Sequence, residues 1–148
     1  MQFIIHVSTL IDNKGEIVLV REKKPESYGR WNLPGGHLEF GEKLITGAQR
    51  EIIEEIGQAL NVSGFIGIYT GFKEDHLLNI VFMATTENDI LQPQANTVIE
   101  ARMFSFQEVL DMDNDLILNP LKLKQIIRDY KVWRSLSLDC IREDVYEK

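Results

Sequence analysis

The 148-residue sequence is poor in cysteine and histidine and contains no long apolar run. Cys140 is the only cysteine, so no internal disulfide can form, and the three histidines lack the close cysteine or carboxylate spacing of zinc sites. No apolar segment approaches the roughly 20 residues that cross a bilayer, and the N-terminus has neither a basic segment nor a small-residue cleavage site. We therefore expect a cytoplasmic protein that binds no membrane.

Positive charge is also scarce, because 16 Lys and Arg face 23 Asp and Glu, for a net charge of −7. Non-specific affinity for nucleic acids comes mainly from Lys and Arg that neutralise phosphates, so this balance argues against a nucleic-acid polymer as partner. A small phosphorylated molecule remains compatible with it, provided that clustered carboxylates hold a metal ion as the local positive charge.

A length of 148 residues with 44% hydrophobic content predicts one compact domain over residues 1–148. Alternating β-branched residues, turn-forming groups and helix boundary signals interleave without a repeat, which predicts a mixed α/β fold. Asn119 is the expected N-cap of the last helix. The expected elements are a hairpin of strands 3–11 and 17–21, a helix over 43–56, loops over 71–76 and 88–96, strands over 62–70, 77–86 and 98–106, and helices over 106–112 and 120–133.

The helix expected over residues 43–56 carries the strongest chemical signal. At about 100° per residue its apolar side chains fall in one stripe, which should face a core. Glu51, Glu54 and Glu55 are related by i,i+3 and i,i+4 spacings, so their carboxylates should converge beside that stripe. Like charges gathered there repel one another unless a cation lies between them, and Mg²⁺ or Mn²⁺ prefers such oxygen ligands.

A solvated acidic helix face is the alternative for any Glu-rich helix considered alone. The wider pattern argues against it here. Gly36 is followed by five residues and Glu42, then by seven residues and Arg50-Glu51, an aliphatic residue, any residue, Glu54-Glu55, any residue and Gly57. At ordinary residue frequencies, this string of fixed identities arises about once in 10⁸ placements.

The string is the Nudix box, and over roughly residues 3–133 the sequence resembles the Nudix hydrolases, the MutT-like family. Residues 36–58 form the box, and the approach Trp31-Asn32-Leu33-Pro34-Gly35 is also similar to the family. The one departure is Gln58, which stands where the family usually has an aliphatic residue, and we expect it to loosen packing at the end of the loop. The resemblance implies an α/β/α sandwich with a mixed β-sheet between helices.

The resemblance also implies roles for the box residues. Mg²⁺ or Mn²⁺ would be held by the Gly36 carbonyl, Glu51, Glu54 and Glu55, while Arg50 would orient a glutamate. Glu42 would tie the loop to the helix, through hydrogen bonds or a pair with Arg50, and Glu39 is a weaker candidate for a similar contact. The base that activates water would be Glu54 or Glu51, or else a carboxylate from a later loop such as Glu100.

The implied reaction is hydrolysis of a phosphoanhydride bond in a nucleoside di- or triphosphate or a related small diphosphate. Arg21, Lys23, Lys24 and Arg30 surround the loop before the box, where they could meet substrate phosphates or form an ordinary solvated surface. The order of elements is similar to the NudJ-type phosphatases, and the marks of ADP-ribose and NADH-cleaving members are absent. The alternatives are a house-cleaning enzyme for oxidised purine nucleotides and a catalytically silent ligand-binding regulator. A monomer or homodimer is expected.

Overall fold

A computed structural model describes residues 1–72 and 74–146 of the chain. In this part of the chain seven strands form one sheet. Three α-helices accompany the strands in these described residues: α1 (Leu44–Ile56), α2 (Phe106–Asp111) and α3 (Pro120–Trp133). The strands are β1 (Phe3–Asn13), β2 (Glu16–Glu22), β3 (Trp31–Asn32), β4 (Gly35–His37), β5 (Gly64–Phe72), β6 (His76–Thr85) and β7 (Val98–Ser105).

The sheet is mixed, because β1 runs parallel to β6 but antiparallel to β2 and β4. The strand order is β3-β2-β1-β6-β5, with β7 paired to β2 and β4 paired to β1. β1 and β2 pair only beside their connecting turn, where Asp12 faces Ile17. Further along, β4 takes the place of β2 as the neighbour of β1, with Gly36 opposite Val7. The box glycine therefore lies within the sheet.

Helices cover both faces of the sheet, because strand residues alternate between two separate cores. Val7 and Ile11 of β1 belong to the core that includes Ala48 and Ile52 of α1. Leu10 of the same strand belongs to the opposite core, which contains the buried residues of α3. The expected α/β/α sandwich is confirmed.

The box helix begins and ends almost where the sequence predicts. Its stripe of Ala48, Ile52 and Ile56 is buried against the sheet. It ends at Gly57, whose φ of 73° is left-handed, and a Cβ there would lie 2.2 Å from the Gln92 carbonyl oxygen. Among the described residues, no helix is both long and apolar enough to cross a membrane.

Three local expectations need correction. The strand β4 was not expected, since Gly35 and Gly36 are poor strand formers. The loop expected over 71–76 is shorter, because β5 reaches Phe72 and β6 begins at His76; Lys73 of that loop lies outside the described residues. Asn119 does precede α3, but its side chain makes no capping bond and its φ is 54°.

Gln58 tightens the end of the box rather than loosening it. Its side chain is 6% exposed, and its Nε2 donates to the Asn88 and Ile90 carbonyl oxygens at 2.9 and 2.8 Å. Its Oε1 accepts a hydrogen bond from the Thr86 hydroxyl at 2.7 Å. A buried amide with all these bonds is well satisfied, so Gln58 fastens the chain after β6 to the end of α1.

Candidate active site

The box helix lies so close to β4 that two of its carboxylates touch the glycine backbone. The Gly35 N–H donates to Glu55 Oε1 at 2.6 Å. A Cβ built on Gly36 would lie 2.5 Å from Glu51 Oε1, so this carboxylate can approach the loop only because residue 36 has no side chain. Gly35 and Gly36 therefore set the distance between the strand and the acidic flank of α1.

Arg50 gathers the remaining acidic residues of the box. Its Nε and Nη2 donate to the two oxygens of Glu42 at 2.7 and 3.0 Å, which is a bidentate pair. Its Nη1 donates to Glu51 Oε1 at 2.9 Å and to Glu54 Oε2 at 3.3 Å. The His37 carbonyl accepts a longer bond from Nη2 at 3.4 Å. One guanidinium thus connects the loop after β4 with two glutamates of the helix.

Glu42 is the loop's main attachment to this guanidinium. Hydrogen bonding from Arg50 holds the pKa of the Glu42 carboxyl below its usual range. Glu42 Oε1 also accepts from the Glu39 N–H at 3.1 Å, and a Cβ on Gly47 would lie 2.8 Å from the same oxygen. The expected pairing of Glu42 with Arg50 is confirmed. Glu39 makes a weaker contact, with its carboxylate 3.9 Å from Arg50 Nη1.

Burial shifts the pKa of two further carboxyl groups of the box, those of Glu51 and Glu55. Desolvation raises the pKa of Glu51, although hydrogen bonding from Arg50 opposes this. Desolvation raises the pKa of Glu55 well above its usual value, and the Gly35 N–H offsets only part of the effect. Glu55 is 6% exposed. A buried carboxylate with as little neutralising charge as Glu55 favours a cation beside it.

One residue of the site, Glu22, escaped the sequence-based prediction. Glu22, at the end of β2, is 9% exposed, and burial raises its pKa. Its charge also raises the pKa of Glu55, so the two carboxyl groups are neighbours. Lys24 is exposed, yet its ammonium lowers the pKa of Glu22, Glu51 and Glu55. The sequence does carry a signal for Glu22, because it continues the alternation of the buried residues Val18 and Val20 of β2 and should share their face.

The NUDIX domain family model matches residues 4–125 of the chain. The chain belongs to the Nudix family. An ADP-ribose pyrophosphatase of Methanocaldococcus jannaschii is 28% identical over 134 residues, 88% of this chain and 75% of that protein. The phosphatase NudJ of Escherichia coli is 27% identical over 140 residues, 93% of this chain and 89% of that one. A solved NUDIX hydrolase of Nitrosomonas europaea is 26% identical with a TM-score of 0.83, over 95% and 96% of the chains.

These matches confirm the expected family, the fold and the class of reaction. The chain is a Nudix hydrolase, and its relatives bear the names of phosphatases and pyrophosphatases. Enzymes of this family generally need a divalent metal ion.

The donor set of the Nudix box suits a hard divalent cation. Glu55 is buried and Glu51 is half-buried; both have raised pKa values and lie close to Gly35 and Gly36. Among the residues that the structure describes, no three acidic, histidine or cysteine side chains converge as a ligand set. The reason is visible in their orientation, since Glu51 and Glu54 turn to Arg50 while Glu55 turns to Gly35. The fit to a divalent ion therefore rests on the oxygen chemistry of these donors and on their burial, not on their present orientation.

The residues expected to meet substrate occupy different surroundings. Arg21 projects to the α3 side of the sheet, where its guanidinium lies over Trp31 at 5.7 Å and donates to the Gly29 carbonyl oxygen at 3.3 Å. Glu100 lies opposite Arg21 in strand β7, rather than in a loop, and accepts from Arg102 at 2.7 Å.

The other two basic candidates lie in the loop after β2. The Lys23 ammonium donates to Asn96 Oδ1 at 3.0 Å, which attaches this loop to the turn before β7. The Arg30 side chain is exposed. Of the basic residues near the box, Lys24 is the one whose charge acts on both Glu51 and Glu55.

Proposed function

We propose that this chain hydrolyses a phosphoanhydride bond in a nucleoside di- or triphosphate or a related small diphosphate, with Mg²⁺ or Mn²⁺ as cofactor. The ion would be held by the Gly36 carbonyl, Glu51, Glu54 and Glu55. The observation that carries the proposal is the contact of these glutamates with the glycine strand and with Arg50, at 2.6 to 3.3 Å. A solvated acidic face would have no reason to be buried against backbone in this way.

The bound ion would supply positive charge that stabilises the negative charge developing on the substrate phosphates. The chain's own residues then have separate tasks. Arg50 orients Glu51 and Glu54 from behind, while Glu42 fixes Arg50 to the loop. Of the two glutamates that Arg50 bonds on α1, Glu54 is the more exposed, with 35% of its side chain accessible against 12% for Glu51. We therefore favour Glu54 as the base that takes a proton from the attacking water.

Lys24 is the best candidate for a direct contact with substrate phosphate. It is exposed, and its charge reaches the carboxylates that would hold the metal. Substrate phosphates beside these carboxylates would lie in the same field, so the Lys24 ammonium would attract them and offset the acidic surroundings. Lys23 and Arg30 remain further candidates for substrate contacts. Arg21 and Glu100 are weaker candidates, for a substrate contact and for the alternative base, because they face the α3 side of the sheet, away from the box helix.

The test is a panel of nucleotides and small diphosphates incubated with Mg²⁺ or with Mn²⁺. It includes nucleoside di- and triphosphates, oxidised purine nucleotides and ADP-ribose, and it scores orthophosphate against pyrophosphate release. We expect turnover with at least one substrate and its loss in excess chelator. Full activity in chelator, or binding of these molecules without turnover, would contradict the proposal and favour a silent regulator.

Glu54→Gln and Glu55→Gln separate the chemistry from the fold. Each keeps the shape of the side chain, and removing a buried charge at Glu55 should not lower stability, because burial already disfavours that charge. We expect a fall of several orders of magnitude in turnover with an unchanged melting temperature. Glu87→Gln, at an exposed position outside the site, is the matched control and should behave as wild type.

The assembly and the partners are part of the same proposal. We infer a single domain over residues 1–148 that acts in the cytoplasm on a small molecule, not on a nucleic-acid polymer, as a monomer or homodimer. Sedimentation at several protein concentrations tests the oligomeric state, and titration with single-stranded and double-stranded nucleic acid tests the exclusion of polymers. Tight binding to either polymer at physiological salt would overturn this part.

A further inference from the structure

The segment after α3 returns to the box helix and contacts its first turn. Leu136 pairs with Phe65 at the edge of β5 through two backbone hydrogen bonds of 2.7 and 3.0 Å. Leu138 and Ile141 then pack against the core beneath α1. This path brings Glu143 to the beginning of the helix, where it contacts Leu44, a residue 99 positions earlier in the sequence. All of it follows residue 125, where the match to the family model ends.

The first turn of α1 needs such a contact, because its own sequence supplies little. The N-cap position is Lys43, whose side chain makes no capping hydrogen bond, and no acidic residue lies in the first turn. The free N–H groups and the helix dipole both favour a negative charge there. The Glu143 carboxylate accepts from the Leu44 N–H at 2.6 Å, and Asp144 forms an ion pair with the Lys43 ammonium.

A short chain of contacts links this turn to the catalytic glutamates. Glu42 directly precedes Lys43 and Leu44, and its carboxylate lies against the same turn, since a Cβ on Gly47 would meet it at 2.8 Å. Glu42 in turn holds Arg50 in a bidentate pair, and Arg50 holds two box glutamates. Displacing the first turn would therefore displace Glu42 and release Arg50.

We propose that Glu143 is a positioning residue for the Nudix site, which acts by capping α1 from the C-terminal segment and so keeps the metal-binding glutamates in place. Asp144 supports it through Lys43. This inference rests on the proposed metal-dependent hydrolysis. The specific expectation concerns metal affinity, because loss of the cap lowers the fraction of molecules that are ready to bind the ion. Saturating metal restores the ordered turn, so turnover at saturation should be preserved.

The test compares Glu143→Ala and Glu143→Gln with Asp139→Asn, a charge-matched control in the same segment. Calorimetric binding of Mn²⁺ and the dependence of the rate on Mg²⁺ are measured for each full-length variant. For Glu143→Ala we expect affinity to fall about 3- to 10-fold, the effect of losing one capping acceptor, with kcat within about twofold of wild type. Glu143→Gln keeps an acceptor without charge, so its metal affinity should lie between those of wild type and Glu143→Ala. Asp139→Asn should match wild type.

Hydrogen exchange at the Leu44 amide gives a readout that needs no activity. We expect faster exchange in Glu143→Ala and an unchanged rate in the control. A metal-binding curve and a Leu44 exchange rate equal to those of the control would overturn the proposal, as would a fall in kcat without a shift in metal affinity. If Glu143→Ala fails to fold, Glu143→Gln decides the question. If the wild type turns over no substrate, the proposed function fails, but Mn²⁺ binding and Leu44 exchange still decide the role of Glu143.

Discussion

Replacing Arg50 by lysine keeps the charge of the site but removes the planar fork that spans it. The guanidinium of Arg50 bonds Glu42 through two nitrogens and also reaches Glu51 and Glu54. One lysine ammonium cannot bond both Glu42 on the loop and the two glutamates on the helix. At least two charge-assisted bonds are therefore lost, each worth roughly 1.5–3 kcal/mol. If about half of that loss reaches the reacting geometry, the rate falls roughly 10- to 100-fold, at 1.36 kcal/mol for each factor of ten.

The assay is the initial rate as a function of metal concentration for Arg50→Lys, Arg50→Ala and wild type. Arg50→Ala should be worse than Arg50→Lys, because the carboxylates also lose their neutralising charge. Arg128→Lys, at an exposed position on α3, is the matched control and should leave the curve unchanged. Wild-type curves for both Arg50 variants would refute the reasoning and reduce Arg50 to a surface residue.

Three further predictions follow from the geometry. Lys24→Gln should raise KM roughly 10-fold through loss of a charged phosphate contact, and Lys23→Gln much less, because the Lys23 ammonium already bonds Asn96; equal KM values for the two variants would contradict this. Burial, with His37, Lys122 and Lys24 nearby, lowers the pKa of His6 to about 4, so His6 should contribute roughly 2–3 kcal/mol less to the free energy of unfolding in chelator at pH 4 than at pH 6.5. The difference between wild type and His6→Gln should therefore change by that amount over this range, and a constant difference would contradict the prediction. Gln58→Leu should cost about 1–3 kcal/mol in thermal unfolding, because two loop carbonyls lose their donor, whereas an unchanged melting temperature would mean that water replaces it.

The sequence predicted the box helix well because its signals are local. Ala48, Ile52 and Ile56 repeat with the helical period, and Gly57 marks the end. These features depend on neighbours within a few residues, so tertiary structure changes them little. A pair between Glu42 and Arg50 was one of two contacts that the resemblance to the Nudix family implied, and its bidentate geometry is seen only in the structure.

Strand β4 could not be predicted, because its cause lies far away in sequence. Gly35 and Gly36 have low intrinsic preference for a strand, and no alternating pattern surrounds them. They become a strand because β1 and β2 separate after Asp12 and Ile17, which leaves the edge of β1 open beside Val7. That separation is a property of the whole sheet, and no short segment of sequence reports it.

The positions of Glu22 and Lys24 depend on which face of β2 meets the box helix. Alternation places Glu22 on the side of Val18 and Val20, but only the packing of α1 on that side makes it a neighbour of Glu55. Once the face is known, the charge balance follows, since burial raises the pKa of both carboxyl groups while the Lys24 ammonium lowers it. The Nudix box supplies the same glutamates in any member that retains its pattern. We therefore expect the loop that carries Lys24, rather than the box itself, to distinguish which phosphates this enzyme accepts.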